Sequence, residues 1–402
     1  MAAQSLKFEQ FIQVPPSMVY HAFTNATALR EWLCSLATVQ PRSGGRLYLI
    51  WNNGYTMAGE YISLHPDQEI LFLWRGRGDP GASQVRLTLE AKDNGTLVSL
   101  VHEGIGEGED WQKAVKEIQD GWKKGLENLT STLETGEDLR ITRRPMLGIT
   151  IGDFNPEMAA KLGVPVTEGI RIDTVVDGLG AQAAGLQSND VIVSFDGRQI
   201  TNWASLTDAL QGKQAGDSIE VNVYRGSQKV TLMMELSHRR KPAIPASLPA
   251  LAESIRQHYE QMQAELDKFF AGVSEQEASF KPTPEEWSPK EVLAHLIQGE
   301  RYWQFHIAEL VGSQESWTDD WPGNLEPAIL ATVAAFPTLA DLLAELKRLF
   351  LETQVLFANL PAQFAERKST FWRLSYEALE TPYHLYAHLD QMRTAINLAR
   401  AK

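Results

Sequence analysis

Cysteine is almost absent: the 402 residues contain one, Cys34. A single thiol excludes an intrachain disulfide and a thiolate zinc cluster built from one chain. Positive charge is also scarce, with 37 Lys and Arg against 51 Asp and Glu and a formal net charge of −14. A chain of that sign offers no field to draw in a phosphate backbone, which argues against nucleic acid as a partner and against a general affinity for anionic membrane. No uncharged apolar run approaches the ~18 residues of a membrane span. The opening Met1-Ala-Ala-Gln-Ser-Leu-Lys7 lacks the basic-then-apolar order of a signal peptide. The compartment expected on these grounds is the cytoplasm. Internal repeats and low-complexity tracts are missing too. What is present is ordinary for folded protein, 43% hydrophobic and 22% charged residues, in a length that suggests about two or three domains.

The chain changes character twice, which divides it into residues 1–136, 144–237 and 247–402. The joints are polar, Glu134-Thr-Gly-Glu-Asp138 and Ser237-His-Arg-Arg-Lys-Pro-Ala-Ile-Pro245. The prolines of the second read as a semi-stiff connector. The fold class expected is multi-domain α+β: a mixed α/β domain, a small β-barrel domain and an all-α bundle.

In the first segment, strands are expected at residues 8–14, 45–51, 56–64, 69–74, 83–91 and 95–103. Val85, Leu87 and Leu89 alternate with Arg86, Thr88 and Glu90, the period of a half-buried strand. Asp93-Asn94-Gly95 is a tight-turn signal. Ser17 is placed to cap a helix over 18–23, and a second short helix carries Leu29, Trp32 and Leu33. A long helix over 110–133 has Trp111, Val115, Ile118, Trp122, Leu126 and Leu129 at helical spacing. This order suggests a sheet curled around one helix with a space between them. Six motifs sharpen it: Val14-Pro-Pro-Ser-Met-Val-Tyr-His-Ala-Phe23, Trp32, Pro41-Arg-Ser-Gly-Gly-Arg-Leu47, Gly59-Glu-Tyr-Ile62, Leu71-Phe-Leu-Trp74 and Gly121-Trp122. In this order they resemble the helix-grip, START-like (SRPBCC) family, in its branch of activator-of-Hsp90-ATPase homologues. The resemblance implies a cavity for a hydrophobic small molecule, with Met57, Tyr61, Trp74 and His102 as candidates to line it. The same aromatics also serve simply as core.

The second segment is punctuated by glycine and rich in β-branched residues. Met146-Leu-Gly-Ile-Thr-Ile151, Gly169-Ile-Arg-Ile172 and the run Gly180-Ala-Gln-Ala-Ala-Gly-Leu-Gln-Ser-Asn-Asp190 through Phe195-Asp-Gly197 resemble a PDZ domain of the bacterial protease-associated type. The resemblance implies binding of peptide or protein C-termini that end in a hydrophobic residue. Backbone N–H groups of Leu147, Gly148 and Ile149 would hold the terminal carboxylate. Ile149, Thr150 and Ile151 offer a strand edge to which a peptide adds one more strand. Leu206 and Leu210, four apart on one helix, are expected to shape the pocket for the last side chain. Ser188-Asn-Asp190 stands where the family has a proline-glycine-aspartate turn, and Asn tolerates the left-handed geometry such a turn needs. No Ser/His/Asp set or nucleophile elbow points to a protease in the chain.

The third segment reads as four helices, over 248–270, 288–310, 338–360 and from 381 to the end. The second opens on Ser288-Pro-Lys-Glu291, a capping box with proline at the first helical position. An up-and-down four-helix bundle is the natural packing. His384 and His388 share one helix face, and a facing helix carrying His295 would bring three imidazoles to one ion, leaving a position open. His306, eleven residues beyond His295, lies about 16 Å further along that helix and cannot join the same ion. Glu286-Trp-Ser-Pro-Lys-Glu-Val-Leu-Ala-His295 and Pro382-Tyr-His-Leu-Tyr-Ala-His388-Leu-Asp-Gln-Met-Arg393 resemble the DinB-like superfamily. That resemblance implies a divalent metal (nickel, zinc or iron) held by His295, His384 and His388, with Tyr383, Asp390 and Gln391 as supporting groups. All three resemblances imply binding, so the function expected is a cytoplasmic, stress-related binding protein for several ligands. The alternative is a metal- and thiol-dependent transferase or hydrolase acting through the DinB-like segment. The catalytic residues of such an enzyme are unknown.

Overall fold

The computed structural model describes residues 4–239, 241–316, 325–380 and 382–402, without the side chains of Asp110, Pro382, Tyr383, His384 and Ala387. Two compact units emerge. One combines residues 1–51, 56–137 and 242–402; the other takes 52–55 and 138–241. The first and third segments therefore fold together, and the PDZ-like segment is an excursion between them in sequence.

The first segment forms a seven-stranded antiparallel sheet in the order Gln4–Ile12, Gly95–Ile105, Ser83–Lys92, Glu69–Gly76, Thr56–His65, Arg46–Ile50, Leu36–Val39. Its inner face follows the period-2 pattern: Val85, Leu87 and Leu89 are buried, as are Ile70, Phe72 and Trp74. The hairpin at Asp93 closes with Lys92 opposite Gly95, and Asp93 takes a left-handed φ of 50°. The Glu109–Thr135 helix covers this face. Trp122 Nε1 donates to His102 Nδ1 at 3.0 Å, and Asn128 Nδ2 to the Trp32 carbonyl at 2.7 Å, so the helix is bonded both to the sheet and to the Ala26–Trp32 helix. One local expectation fails. Ser17 lies inside the Pro16–Thr24 helix, whose cap is Pro15 with no side-chain bond, because Pro16 already occupies the first turn with its φ preset.

The PDZ-like unit is a sheet in the order Gln228–Glu235, Ser218–Arg225, Val191–Phe195, Ile170–Val175, Ile149–Gly152, with Arg198–Gln199 off that path. Asn189 adopts φ +69°, the geometry expected of the substituted turn. Asp190 behind it is fully buried and held by Arg225 through Nε at 2.8 Å and Nη2 at 2.7 Å.

The helical segment contains the four expected helices, at Leu248–Phe269, Pro289–Gly312, Leu339–Ala358 and Pro382–Arg400. Glu326–Ala335 and Lys368–Glu380 are added to them, so the bundle is richer than four. The expected cap of Ser288 with Glu291 forms, and Thr338 with Asp341 makes a second capping box. The Lys368–Glu380 helix packs on the Leu248–Phe269 helix on one side and on the Ala26–Trp32 and Glu109–Thr135 helices on the other. It is the joint of the first unit.

Charged groups seal that joint. Glu315 is 1% exposed and lies between Arg30, at 2.9 Å, and Arg373, which grips it with both terminal nitrogens at 2.9 and 2.6 Å. Arg373 also bonds Glu377, which receives His306 at 3.1 Å. Lys368 Nζ donates to the Glu134 carbonyl at 2.7 Å. The two Glu315 pairs close across long stretches of chain at a buried carboxylate, where an ion pair is held by geometry rather than lost to solvent.

Candidate functional site

The bundle brings together two of the three histidines proposed as metal ligands. His295, from the Pro289–Gly312 helix, is 3% exposed. Its ring lies 4.9 Å, centroid to centroid, from that of His388, with the planes at 71°. Trp287 packs on the other side of His295 at 5.1 Å. His388 Nδ1 meets Gln391 Oε1 at 2.9 Å. With Gln391 accepting from Nδ1–H, the lone pair of the imidazole is on Nε2, and the partner fixes the ring. Asp390 turns outward to Arg393. The His384 and Tyr383 side chains lie outside the described residues; His384 belongs to the Pro382–Arg400 helix, one turn before His388. Among the described residues no group of three His, Cys, Asp or Glu converges as a metal-ligating set. His306 is engaged elsewhere, bonded to Glu377 and packed on Trp303 and Tyr302.

The bundle also buries a carboxyl that the sequence pattern did not single out. Glu300 accepts from Tyr259 Oη at 2.8 Å and from Thr353 Oγ1 at 2.5 Å. Burial lifts it to about 7 although both donors oppose the rise. An acidic residue on an otherwise apolar helix face was the available signal.

In the PDZ-like unit, Ile149–Gly152 is the terminal strand of its sheet path and pairs with Ile170–Val175. Ile151 is 39% exposed and Thr150 is exposed; Thr150 Oγ1 meets Thr174 Oγ1 at 2.6 Å. Leu147, Ile149 and Leu210 are part-buried against the core of the unit, whereas Leu206 is wholly inside it. On the Trp203–Leu210 helix it is therefore Leu210 that keeps partial access, with Trp203 exposed one turn before Thr207. Gly148 holds φ +79°, and a Cβ there would lie 2.5 Å from Leu179 Cβ. The loop before the strand depends on glycine for both reasons.

The helix-grip candidates Met57, Tyr61, Trp74 and His102 all lie on the inner face of the sheet and are no more than 5% exposed. They are bound into the core. Tyr61 Oη donates to the Phe23 carbonyl at 2.9 Å. Trp74 packs on His102 at 5.6 Å and on Trp122 at 5.4 Å. His102 Nε2 lies 2.7 Å from Ser83 Oγ. Burial pushes the imidazole down to about 4.

Three family models match the chain. Residues 13–134 match the activator of Hsp90 ATPase homolog 1-like protein, residues 145–236 the PDZ domain, and residues 258–392 the DinB superfamily. The protein therefore carries an AHSA1-like domain, a PDZ domain and a DinB-like helical domain in that order. Among curated proteins, it is 31% identical over 96 residues to a probable periplasmic serine endoprotease DegP-like of Marinomonas sp., a match covering 24% of this chain and 20% of that one. It is 34% identical over 115 residues to the serine protease Do-like HtrA of Lactococcus lactis, covering 27% and 28%. The chain thus spans only about a fifth to a quarter of these relatives. Among solved structures, an Hsp90 activator from Plasmodium falciparum is 26% identical over 31% of this chain and 92% of that one, with a TM-score of 0.28. No single described helix is long and apolar enough to cross a membrane.

Proposed function

We propose that this is a cytoplasmic binding protein with three kinds of ligand: a divalent metal on the DinB-like domain, hydrophobic C-termini on the PDZ domain and a hydrophobic small molecule on the AHSA1-like domain. The observation that carries the metal reading is the meeting of His295 and His388 from separate helices, with Gln391 setting the His388 tautomer. His295, His384 and His388 would hold the ion, and nickel, zinc or iron all suit imidazole. A bound metal with an open position supplies Lewis acidity, enough to lower the pKa of a thiol or a water. The protein's own part is to bury His295, pin His388 and keep Trp287 over the site.

Metal content of the purified full chain tests this. About one divalent ion per chain is expected, lost in a His295→Ala/His388→Ala variant that melts like the wild type. A wild-type chain that stays metal-free after reconstitution with nickel, zinc and iron would sink the reading.

For the PDZ domain the expected partner is an extended peptide paired along Ile149–Gly152, its last side chain near Leu210. Gly148→Ala places a Cβ in left-handed backbone at a cost of roughly 1–2 kcal/mol, before the clash with Leu179. Fluorescence anisotropy with a labelled decapeptide ending in valine is expected to show saturable binding, weakened by about tenfold or more in Gly148→Ala and in Leu210→Asp. Equal binding by all three proteins would place the peptide elsewhere. A ligand for the AHSA1-like domain has to part the Trp74, His102 and Trp122 cluster, so slow entry is expected of it.

A further inference from the structure

Where the AHSA1-like and DinB-like parts of the first unit meet, a cleft of ≈180 Å³ lies between them. One wall comes from the Pro16–Thr24 and Ala26–Trp32 helices and includes Met18, Ala22, Ala28 and Glu31. The other comes from the bundle and includes Arg367. Apolar surface predominates in the lining, and three charged residues reach it: Glu31 from one domain and Arg367 and Lys368 from the other, the Lys368 ammonium being given to the Glu134 carbonyl.

Glu31 is 6% exposed. Its oxygens accept from Ser369 Oγ at 2.5 Å and Thr370 Oγ1 at 2.6 Å. Each carboxylate oxygen has a second lone-pair site beyond these bonds. Arg367 is fixed by the Leu310 and Val311 carbonyls, at 3.0 and 2.9 Å, and by Ser313 Oγ. Those bonds use both hydrogens of Nη2 and one of Nη1, so Nε–H and the other Nη1 hydrogen take no part in them. Burial raises the Glu31 pKa and lowers that of Arg367, and the charge of each opposes the shift of the other, yet the two form no ion pair. His21 lines the same cleft and is kept neutral, first by burial and then by Arg367.

A carboxylate and a guanidinium held apart across a small apolar cleft are matched by a molecule with the reverse pair of charges. An anion alone would meet Glu31, and a cation alone would meet Arg367. At ~30 Å³ per water, ≈180 Å³ holds about six water-sized groups, roughly the heavy-atom count of alanine. We propose that the cleft binds a small free α-amino acid, its ammonium at Glu31, its carboxylate at Arg367 and its short side chain against Met18, Ala22 and Ala28. Because the walls belong to two domains, the ligand bridges them, and binding strengthens the joint by mass action.

Isothermal titration of the full chain with L-alanine tests this. Saturable one-to-one binding is expected, together with a raised thermal midpoint. Alanine methyl ester, which lacks the carboxylate, and propionate, which lacks the ammonium, are each expected to bind at least about tenfold more weakly to the same wild-type protein. Ala28→Leu fills the cleft without touching either charge and should abolish the heat, and Glu31→Gln should weaken binding by a similar factor. Absence of binding at millimolar alanine overturns the proposal. So does ester or propionate binding as tight as alanine, or alanine binding that Ala28→Leu leaves unchanged.

Discussion

Glu315→Ala is expected to destabilise the first unit by about 3–5 kcal/mol, the cost of leaving buried charge without its counter-ion. Two guanidiniums lose the Glu315 carboxylate at once, Arg373 keeping Glu377 at 3.0 Å. Arg30, 15% exposed, and Arg373, 17% exposed, would face each other across the space Glu315 vacates. The Glu315 backbone also bonds the Thr27 hydroxyl at 3.3 Å, so the segment itself is seated on the AHSA1-like domain. The reverse experiment separates charge from packing. Arg30→Met/Glu315→Leu/Arg373→Met removes all three charges together, and replacing a buried ionic cluster by apolar groups of similar volume is often neutral or better. Amide hydrogen exchange is the suitable readout, because a multi-domain chain does not unfold in one step. Protection should fall in both the Gly95–Ile105 strand and the Pro289–Gly312 helix of Glu315→Ala and largely return in the triple variant. A loss under about 1 kcal/mol would mean that the joint is hydrated and loose, as exposed pairs are.

That joint was the part of the architecture hardest to read from sequence. Local signals carried most elements. The Asp93-Asn94-Gly95 turn, the Ser288 cap and the alternation at Val85, Leu87 and Leu89 each act within a few residues, and each appears where expected. Two longer helices escaped, and the first of them has no single apolar stripe. Glu326–Ala335 is apolar on all sides. Lys368–Glu380 buries Thr370, Phe371, Trp372, Leu374, Ser375, Tyr376 and Ala378, residues distributed around its axis, because it has neighbours on opposite faces. The Leu36–Val39 strand was missed for another reason: four residues at the edge of a sheet give too short a pattern.

The sites divide in the same way. His295 and His388 were identifiable because an i, i+4 pair and one facing residue follow from helical geometry, and the packing brings those two rings together. Glu31, Arg30, Arg373 and Glu315 carried no such signal. Their partners are far away in sequence, and a lone charged residue on a helix usually marks the solvent face. Only the fold shows that the AHSA1-like and DinB-like domains share a buried boundary. It follows that a ligand acting on one of them alters the stability of the other, since the Lys368–Glu380 helix contacts both and leads to the helix carrying His384 and His388.

The AHSA1-like core is expected to weaken in mild acid through His102. Trp122 donates to Nδ1, so the imidazole proton is on Nε2 and goes to Ser83 Oγ; that hydroxyl in turn donates to the Trp74 carbonyl at 3.3 Å. The bonds that run from Trp122 through His102 and Ser83 to the Trp74 carbonyl are all made only while His102 is neutral. A second proton, on Nδ1, would point at the indole N–H, donor against donor, in a fully buried site. Burial holds the group down to about 4 against an ordinary 6.5. A histidine depressed in the fold takes up its proton more readily when unfolded, so its contribution is complete above pH ~6.5, declines as the pH falls and is gone below ~4. The shift corresponds to about 3 kcal/mol over that window, of which about 2 should be lost by pH ~5. Hydrogen exchange of the Gly95–Ile105 amides, corrected for intrinsic rates, measures it. His102→Gln does not titrate and keeps a donor and an acceptor, so its protection should fall less between pH 7 and 5 than that of the wild type. Parallel loss in both proteins would assign the acid sensitivity to other groups. A nitrogen spectrum with the His102 proton on Nδ1 would refute the bonding order itself.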